Sequence, residues 1–346
     1  MSDDLEELLS KATAGDSQSQ VILADRYKDG SGIARADEEA ARWYRKAAEQ
    51  GNTDGQSLLG WMYLVGRGVA RDPKEAAPWL LKAAQQGNSS AQYNLGTLYS
   101  SEPGAARNYI EAAKWYRRAA DQGHTRSQYL LGNMYYNGNG LARDYKDAVY
   151  WYIKAAEQGY PQAQHALGRM YVKGWGVGKN YKEAFALCRM AAERGYVPAQ
   201  SSLGGMYSIG QGTVKDSNEA SQWFRKAAEQ GDASAQFNLG LTCVFRDSNQ
   251  AAQWMRKAAE QGHAKAQWEL GMWYLLSIGV PADKVTAYFW LSLAVKNGPI
   301  GCWRRIFWKC FGAFLSKVRR TEVRKQVQDW NRTQTTTTAD SHAEIE

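Results

Sequence analysis

Apolar positions in this chain fall four apart inside short segments, break at a glycine, and start again. In Ala91-Gln92-Tyr93-Asn94-Leu95-Gly96-Thr97-Leu98-Tyr99, Leu95 and Tyr99 share one face of a helix. A second segment then opens on a polar cap and closes on glycine. Asp72-Pro73-Lys74-Glu75 offers an N-cap, a proline at the first helical position and a Glu three residues on. Asn108 with Glu111, Asp144 with Asp147, Asn180 with Glu183 and Asp216 with Glu219 repeat that scheme. The stops are Gly51, Gly87, Gly123, Gly159, Gly195, Gly231, Gly262 and Gly298, each expected as a left-handed C-cap. They recur every 36 residues, with one step of 31, and Gly15 lies a further 36 before Gly51. The chain therefore reads as eight helix pairs over residues 16–298, preceded by an N-terminal half-repeat over 1–15.

Two residue types mark fixed posts inside the repeat. A glycine follows the first-helix Leu at Gly60, Gly96, Gly132, Gly168, Gly204, Gly240 and Gly271, although glycine weakens a helix by about 1 kcal/mol. Its regular use predicts close approach of the second helix. A Trp stands eight residues before the stop at Trp43, Trp79, Trp115, Trp151, Trp223, Trp254 and Trp290, with Leu187 in the fifth repeat. That ladder is expected in the core. Between the helices lie Gly-x-Gly loops such as Gly66/Gly68 and Gly138/Gly140, read as positive-φ turns. A phosphate-cradling reading of these loops is much the weaker, since no strand precedes them, and a P-loop reading of Gly178-Lys179-Asn180 fails because both the upstream glycine and the Ser/Thr are missing.

These posts together resemble the Sel-1-like repeat, a relative of the tetratricopeptide repeat. The second repeat carries the pattern well: Leu59-Gly60-Trp61-Met62-Tyr63, Gly66-Arg67-Gly68-Val69, Asp72, Ala76, Trp79, then Lys82-Ala83-Ala84-Gln85-Gln86-Gly87. The resemblance implies an all-α fold, an α/α solenoid wound as a right-handed superhelix of helix-turn-helix repeats with helical caps. It also implies a concave face that binds a protein or peptide, and stability that comes from stacking neighbouring repeats. Departures are local. The seventh repeat loses five residues between Cys243 and Asp247, the third has Ser101-Glu102-Pro103-Gly104 in its loop, and Pro78 is expected to bend its helix.

On the inner wall, the positions two before, two after and five after the Leu share a face. They give Trp61, Tyr93, Tyr129, Asn133, Tyr136, His165, Arg169, Phe237 and Trp268 as candidate partner-binding residues, a mixture typical of protein-binding hot spots. For Phe237, Trp268 and Met272 packing against the closing segment is an open alternative. After Gly298 the repeat stops. Residues 299–332 are basic and aromatic, with eight basic residues and one acid between Trp303 and Lys325. They are expected to form capping helices; contact with an anionic membrane or with nucleic acid through this basic segment is the alternative. Residues 333–346 read as a disordered tail.

Composition narrows the function. The 346 residues hold 33 Gly, 14 Trp and 20 Tyr against 7 Pro, and the glycines have fixed posts, which excludes a flexible linker protein. The net charge of +8 allows an acidic partner. Cys188, Cys243, Cys302 and Cys310 show no C-x-x-C pairing, and the acidic start is unlike a signal peptide, so a cytoplasmic location is expected. His124, His165, His263 and His342 stand apart in sequence; His124 and His263 read as exposed helix-start residues, and no nucleophile–base set is visible. The expectation is a non-enzymatic adaptor with no cofactor, no metal and no small-molecule substrate.

Overall fold

The computed structural model describes residues 3–101, 108–298 and 321–330. They fall into two compact units, residues 1–179 and 180–346. The N-terminal unit holds α1 (Asp3–Thr13), α2 (Ser17–Asp29), α3 (Asp37–Glu49), α4 (Thr53–Val65), α5 (Pro73–Gln85), α6 (Ser89–Ser101), α7 (Tyr109–Asp121), α8 (Thr125–Asn137), α9 (Tyr145–Glu157) and α10 (Pro161–Lys173). The C-terminal unit holds α11 (Tyr181–Glu193), α12 (Val197–Ile209), α13 (Ser217–Glu229), α14 (Ala233–Cys243), α15 (Ser248–Glu260), α16 (Ala264–Leu276), α17 (Lys284–Asn297) and α18 over 321–330. The fold is an all-α solenoid of helix pairs, and within each unit successive helices pack on one another. The sequence reads as one unbroken array, whereas the boundary between units falls inside the fifth repeat. That repeat has Leu187 at the Trp post and Arg194 where its neighbours end in Gln.

The repeated glycines act by the closeness they permit. A Cβ on Gly96 would lie 2.6 Å from the Tyr116 ring, so the second helix seats a whole aromatic side chain against bare backbone. The loop glycine Gly140, at φ 70°, would put a Cβ 2.2 Å from the Tyr109 carbonyl oxygen. The loop of one repeat thus lies on the first turn of the preceding repeat's second helix. Side chains larger than hydrogen are excluded there by both strain and contact.

The Trp ladder is only partly core. Trp43, Trp115, Trp151 and Trp290 are buried, while Trp79, Trp223 and Trp254 are half-buried. Six rungs carry a cation over the ring, from Lys46 at 3.8 Å above Trp43 to Arg117 at 5.0 Å from Trp151. The deepest post is the next residue: Tyr44, Leu80, Tyr116, Tyr152, Cys188, Phe224, Met255 and Leu291 are all buried. Leu80, Tyr116, Tyr152, Phe224, Met255 and Leu291 meet the first-helix glycine, the first repeat has Ala24 at that post, and burial pushes the Cys188 thiol up to about 12.

A polar column runs through the same core. Gln20, Gln56, Gln92, Gln128, Gln164, Gln200, Gln236 and Gln267 are buried. Each donates from Nε2 to an alanine carbonyl eight residues back, as Gln128 does to Ala120 at 3.2 Å. In both units the side-chain oxygen then accepts from the amide at the end of the second helix, as in Gln158 to Gln128 at 2.7 Å and Gln230 to Gln200 at 2.8 Å. Buried amides are thereby satisfied repeat by repeat. The column is interrupted at Gln164, whose Oε1 is buried without a hydrogen-bond partner among the described residues.

The caps form as the sequence demands. Asp144 accepts from the Lys146 and Asp147 amides at 2.7 and 3.1 Å. Helix α5 runs unbroken from Pro73 to Gln85 through Pro78. At the N-terminus Leu5, Leu8 and Ala12 are buried, and Gln20 bonds the Ala12 carbonyl, so α1 takes the place of a preceding second helix. In the C-terminal unit, Val323 of α18 is fully buried with Tyr288, and Trp330 stands edge-on to Phe289 and Trp290 at 6.0 and 5.8 Å. The basic stretch 303–320 and the tail 333–346 lie outside the described residues. Among the described residues no helix is long and apolar enough to cross a membrane.

Candidate functional site

First helices α4 and α6 of the N-terminal unit line two adjoining depressions. One, of about 280 Å³, runs past Ser57 and Leu58 to Lys28 and Arg67. The other, of about 580 Å³, runs past Tyr93 to His124, Arg126 and Tyr160. Trp61, Ser90 and Asn94 line both, so the two form one groove with an indole, a hydroxyl and a carboxamide at its middle. Residues Trp61 and Ser90/Asn94 come from neighbouring repeats, and the groove exists only because those repeats stack.

Rings set the far wall, through a pairing rule that recurs. Tyr93 lies 6.1 Å from Tyr116 of its own repeat and 4.9 Å from His124, the N-cap of the next first helix. Tyr129 likewise lies 6.0 Å from Tyr152 and 5.4 Å from the N-cap residue Tyr160. In the C-terminal unit Phe237 meets the N-cap residue His263 at 4.9 Å. Each ring is thus held by its neighbours, which lowers the entropy lost when a ligand stacks on it. Tyr136 belongs to a separate cluster with Tyr145 and Trp175, the latter two stacked at 5.4 Å.

His124 and His263 cap helices rather than standing as exposed surface residues. His124 and His263 are half-buried, and their Nδ1 atoms accept the amides of Ser127 and Ala266 at 3.3 and 3.1 Å. An accepting Nδ1 requires the ring to be neutral with its proton on Nε2. Burial, helped by Arg126, holds the His124 pKa below its ordinary value. Burial and then Arg169 take His165 down to about 4.

Charge at the near end of the groove is largely neutralised in place. Lys28 pairs with Asp25 at 2.6 Å, and Asp25 also accepts from the Tyr44 hydroxyl at 2.6 Å. Arg67 pairs with Asp37 at 2.8 Å and donates to the Lys28 carbonyl. Hydrogen bonds from Arg67 and Arg35 hold the Asp37 carboxyl at about 2. Arg126 and Arg169 are exposed.

Of the residues singled out from sequence, Trp61 and Tyr93 come together in the groove, and Tyr129 adjoins it through Tyr160. Asn133 is engaged internally, accepting from the Tyr152 hydroxyl at 2.7 Å. His165 is half-buried and Arg169 exposed, one turn apart on α10. Phe237 is half-buried on His263. Trp268 is 7% exposed and packs with Leu291 and Ala294 of α17, the second helix of its own repeat, rather than with the closing segment named as its alternative. Sequence reasoning missed Ser90, Asn94, His124, Arg126 and Tyr160. Their common signal is position: His124 and Tyr160 follow the stop glycine directly, and Ser90 and Arg126 lie two residues beyond that cap. Among the described residues no group of three or more His, Cys, Asp or Glu is placed to hold a metal ion. The groove's groups stack and hydrogen-bond.

Comparison with known proteins places this geometry. The Sel1 repeat model matches residues 17–52, 53–88, 89–124, 125–160, 161–196, 197–232, 233–263 and 264–299. A solved structure of a Sel1 repeat protein from Oxalobacter formigenes is similar at 33% identity, covering 89% of this chain and 90% of its own, with a TM-score of 0.65. A protective antigen present in uropathogenic Escherichia coli strains, displaying an SLR fold, is similar at 32% identity over 98% of this chain and 81% of its own, with a TM-score of 0.57. Comparison with curated protein sequences gave no match.

Proposed function

Because this chain belongs to the Sel1 repeat family, whose members are generally protein-interaction scaffolds, we propose that it is a non-enzymatic adaptor that holds a segment of a partner protein in the groove of its N-terminal unit. One observation carries the reading: two depressions from successive repeats join at Trp61, Ser90 and Asn94. An extended segment laid along them meets an aromatic face with a carboxamide beside it. Trp gives a large contact area at small entropic cost, and Asn can donate to and accept from one peptide unit. Tyr93 and Tyr160 continue the aromatic wall, and exposed Arg126 at its edge favours an acidic group on the partner.

A photo-crosslinking residue placed at Asn94 tests this in the cell of origin. It should capture a discrete partner, and the same residue at exposed Leu81 on a second helix should not. Equal capture from both positions, or capture only from Leu81, would overturn the groove assignment.

A further inference from the structure

The groove of the N-terminal unit is lined by groups that give hydrogen bonds more readily than they take them. No Asp or Glu lines either of its depressions. Three side chains there can only donate. They are the Trp61 indole N–H, the Arg126 guanidinium and His124, whose Nδ1 already accepts the Ser127 amide and leaves only Nε2–H. Ser90, Tyr93, Asn94 and Tyr160 can donate or accept, and none of the four makes a side-chain hydrogen bond to another described residue. Gln158 also lines the groove, but both its ends are engaged. Its Oε1 accepts from the Thr125 hydroxyl at 2.6 Å, and its Nε2 donates to the Gly123 carbonyl at 3.0 Å and to Gln128 at 2.7 Å.

An occupant suited to this wall brings acceptors, few donors, and an apolar surface for the rings of Trp61, Tyr93 and Tyr160. An ordinary extended segment carries one N–H for every carbonyl, and each N–H turned to the wall meets few acceptors. Proline keeps the carbonyl, lacks the N–H, and offers a pyrrolidine face to an aromatic ring. A run of prolines is already extended as polyproline II, so little conformational freedom is lost on docking. Charge adds a direction. Among the described residues Arg126 enters no ion pair, whereas Lys28 and Arg67 at the other end pair with Asp25 and Asp37. We propose, resting on the groove assignment above, that the occupant is a proline-rich segment of the partner in polyproline II form, with an acidic residue at the end that meets Arg126.

The test uses the full chain and the fluorescence anisotropy of labelled nonaproline, with a Gly/Ser nonamer as the reference probe. Nonaproline should bind about tenfold or more tightly than the reference. Asn94→Asp puts an acceptor-only carboxylate into the wall at nearly unchanged size, and should weaken nonaproline by about tenfold. Leu81→Asp, at an exposed position of α5, should leave it unchanged. Trp61→Phe keeps a ring without the N–H and should cost less affinity than Trp61→Ala. Two Glu added to one end of the probe should tighten binding, and Arg126→Ala or raised salt should remove that gain alone. Circular dichroism checks that each variant is folded. The proposal is overturned if nonaproline binds no better than the Gly/Ser probe, or if Asn94→Asp leaves its affinity unchanged. The crosslinker at Asn94 separates this reading from the groove assignment. A captured segment that mass spectrometry maps to a proline-rich stretch supports the proposal. One without proline overturns it and leaves the groove standing, and no capture from Asn94 overturns both.

Discussion

The two units share a frame and differ in what they hang on it. Both place a buried side chain on the first-helix glycine, Tyr152 in one and Phe224 in the other, and both thread buried Gln residues through the core. Their variable positions diverge. The N-terminal unit gathers Trp61, Ser90, Asn94 and Tyr93 into a groove. The C-terminal unit buries the equivalent aromatic Trp268 and exposes Ile209, Phe245 and Leu276 instead. The lesson is that fixed posts set the stacking, and the residues between them decide whether a repeat offers a groove or exposed apolar side chains.

The largest effect should come from the frame itself. Tyr152→Ala and Phe224→Ala should each destabilise by about 3–5 kcal/mol in urea unfolding, since each empties a buried post against glycine. A much smaller loss for one would show that the frame is not shared. Next, Gln128→Ala and Gln236→Ala should each cost about 1–3 kcal/mol, because the partner amide of Gln158 or Gln261 is left without its acceptor. The same experiment with Leu in place of Ala should not rescue the loss.

Acid should then act on both units, since burial also holds His263 of the C-terminal unit below its ordinary value, and most strongly at His165. His165 and His124 have folded pKa values below the ordinary 6.5, the former at about 4, so the unfolded chain takes up the proton more readily. Their stabilising contribution is present above pH 6.5 and is lost as pH falls from 6.5 through about 4. His165→Gln should flatten that part of the stability–pH curve, measured by urea midpoint. The smallest change belongs to a single cap: Asp144→Ala should cost about 1 kcal/mol, as should Asp216→Ala in the other unit.

Much of the frame was legible in the sequence because it rests on sterics and local caps. Gly96, Asp144 and the stop glycines, which from Gly15 to Gly262 are all at positive φ, occupy positions where few residues fit, so the same letter recurs; Gly298 is extended at φ −147° and is not the left-handed cap its place in the pattern suggested. The deepest post was not legible: Tyr44, Leu80, Cys188 and Met255 share size and burial but no letter, while the visible Trp ladder is partly at the surface beneath Lys and Arg side chains. The Gln column was visible as letters but not as a network, since Gln128 meets Gln158 only after two helices turn back. In the groove, Trp61 and Tyr93 were found because they lie on a helix face of the right register. His124 and Tyr160 were missed because a cap residue reads as a turn, and only stacking brings its ring against the preceding repeat. Trp268 was left between packing and binding because a large aromatic on an inner-face register looks the same whether a partner or α17 covers it.

The central claim is that Trp61 and Asn94 form the partner-binding centre, and it is tested by affinity. Short linear peptides selected from a display library on the full chain should be titrated against wild type, Trp61→Ala and Asn94→Ala, with unfolding followed in parallel. The account predicts about tenfold or greater weakening for Trp61→Ala and a smaller loss for Asn94→Ala, with the fold retained. Peptides that bind all three proteins equally would contradict it.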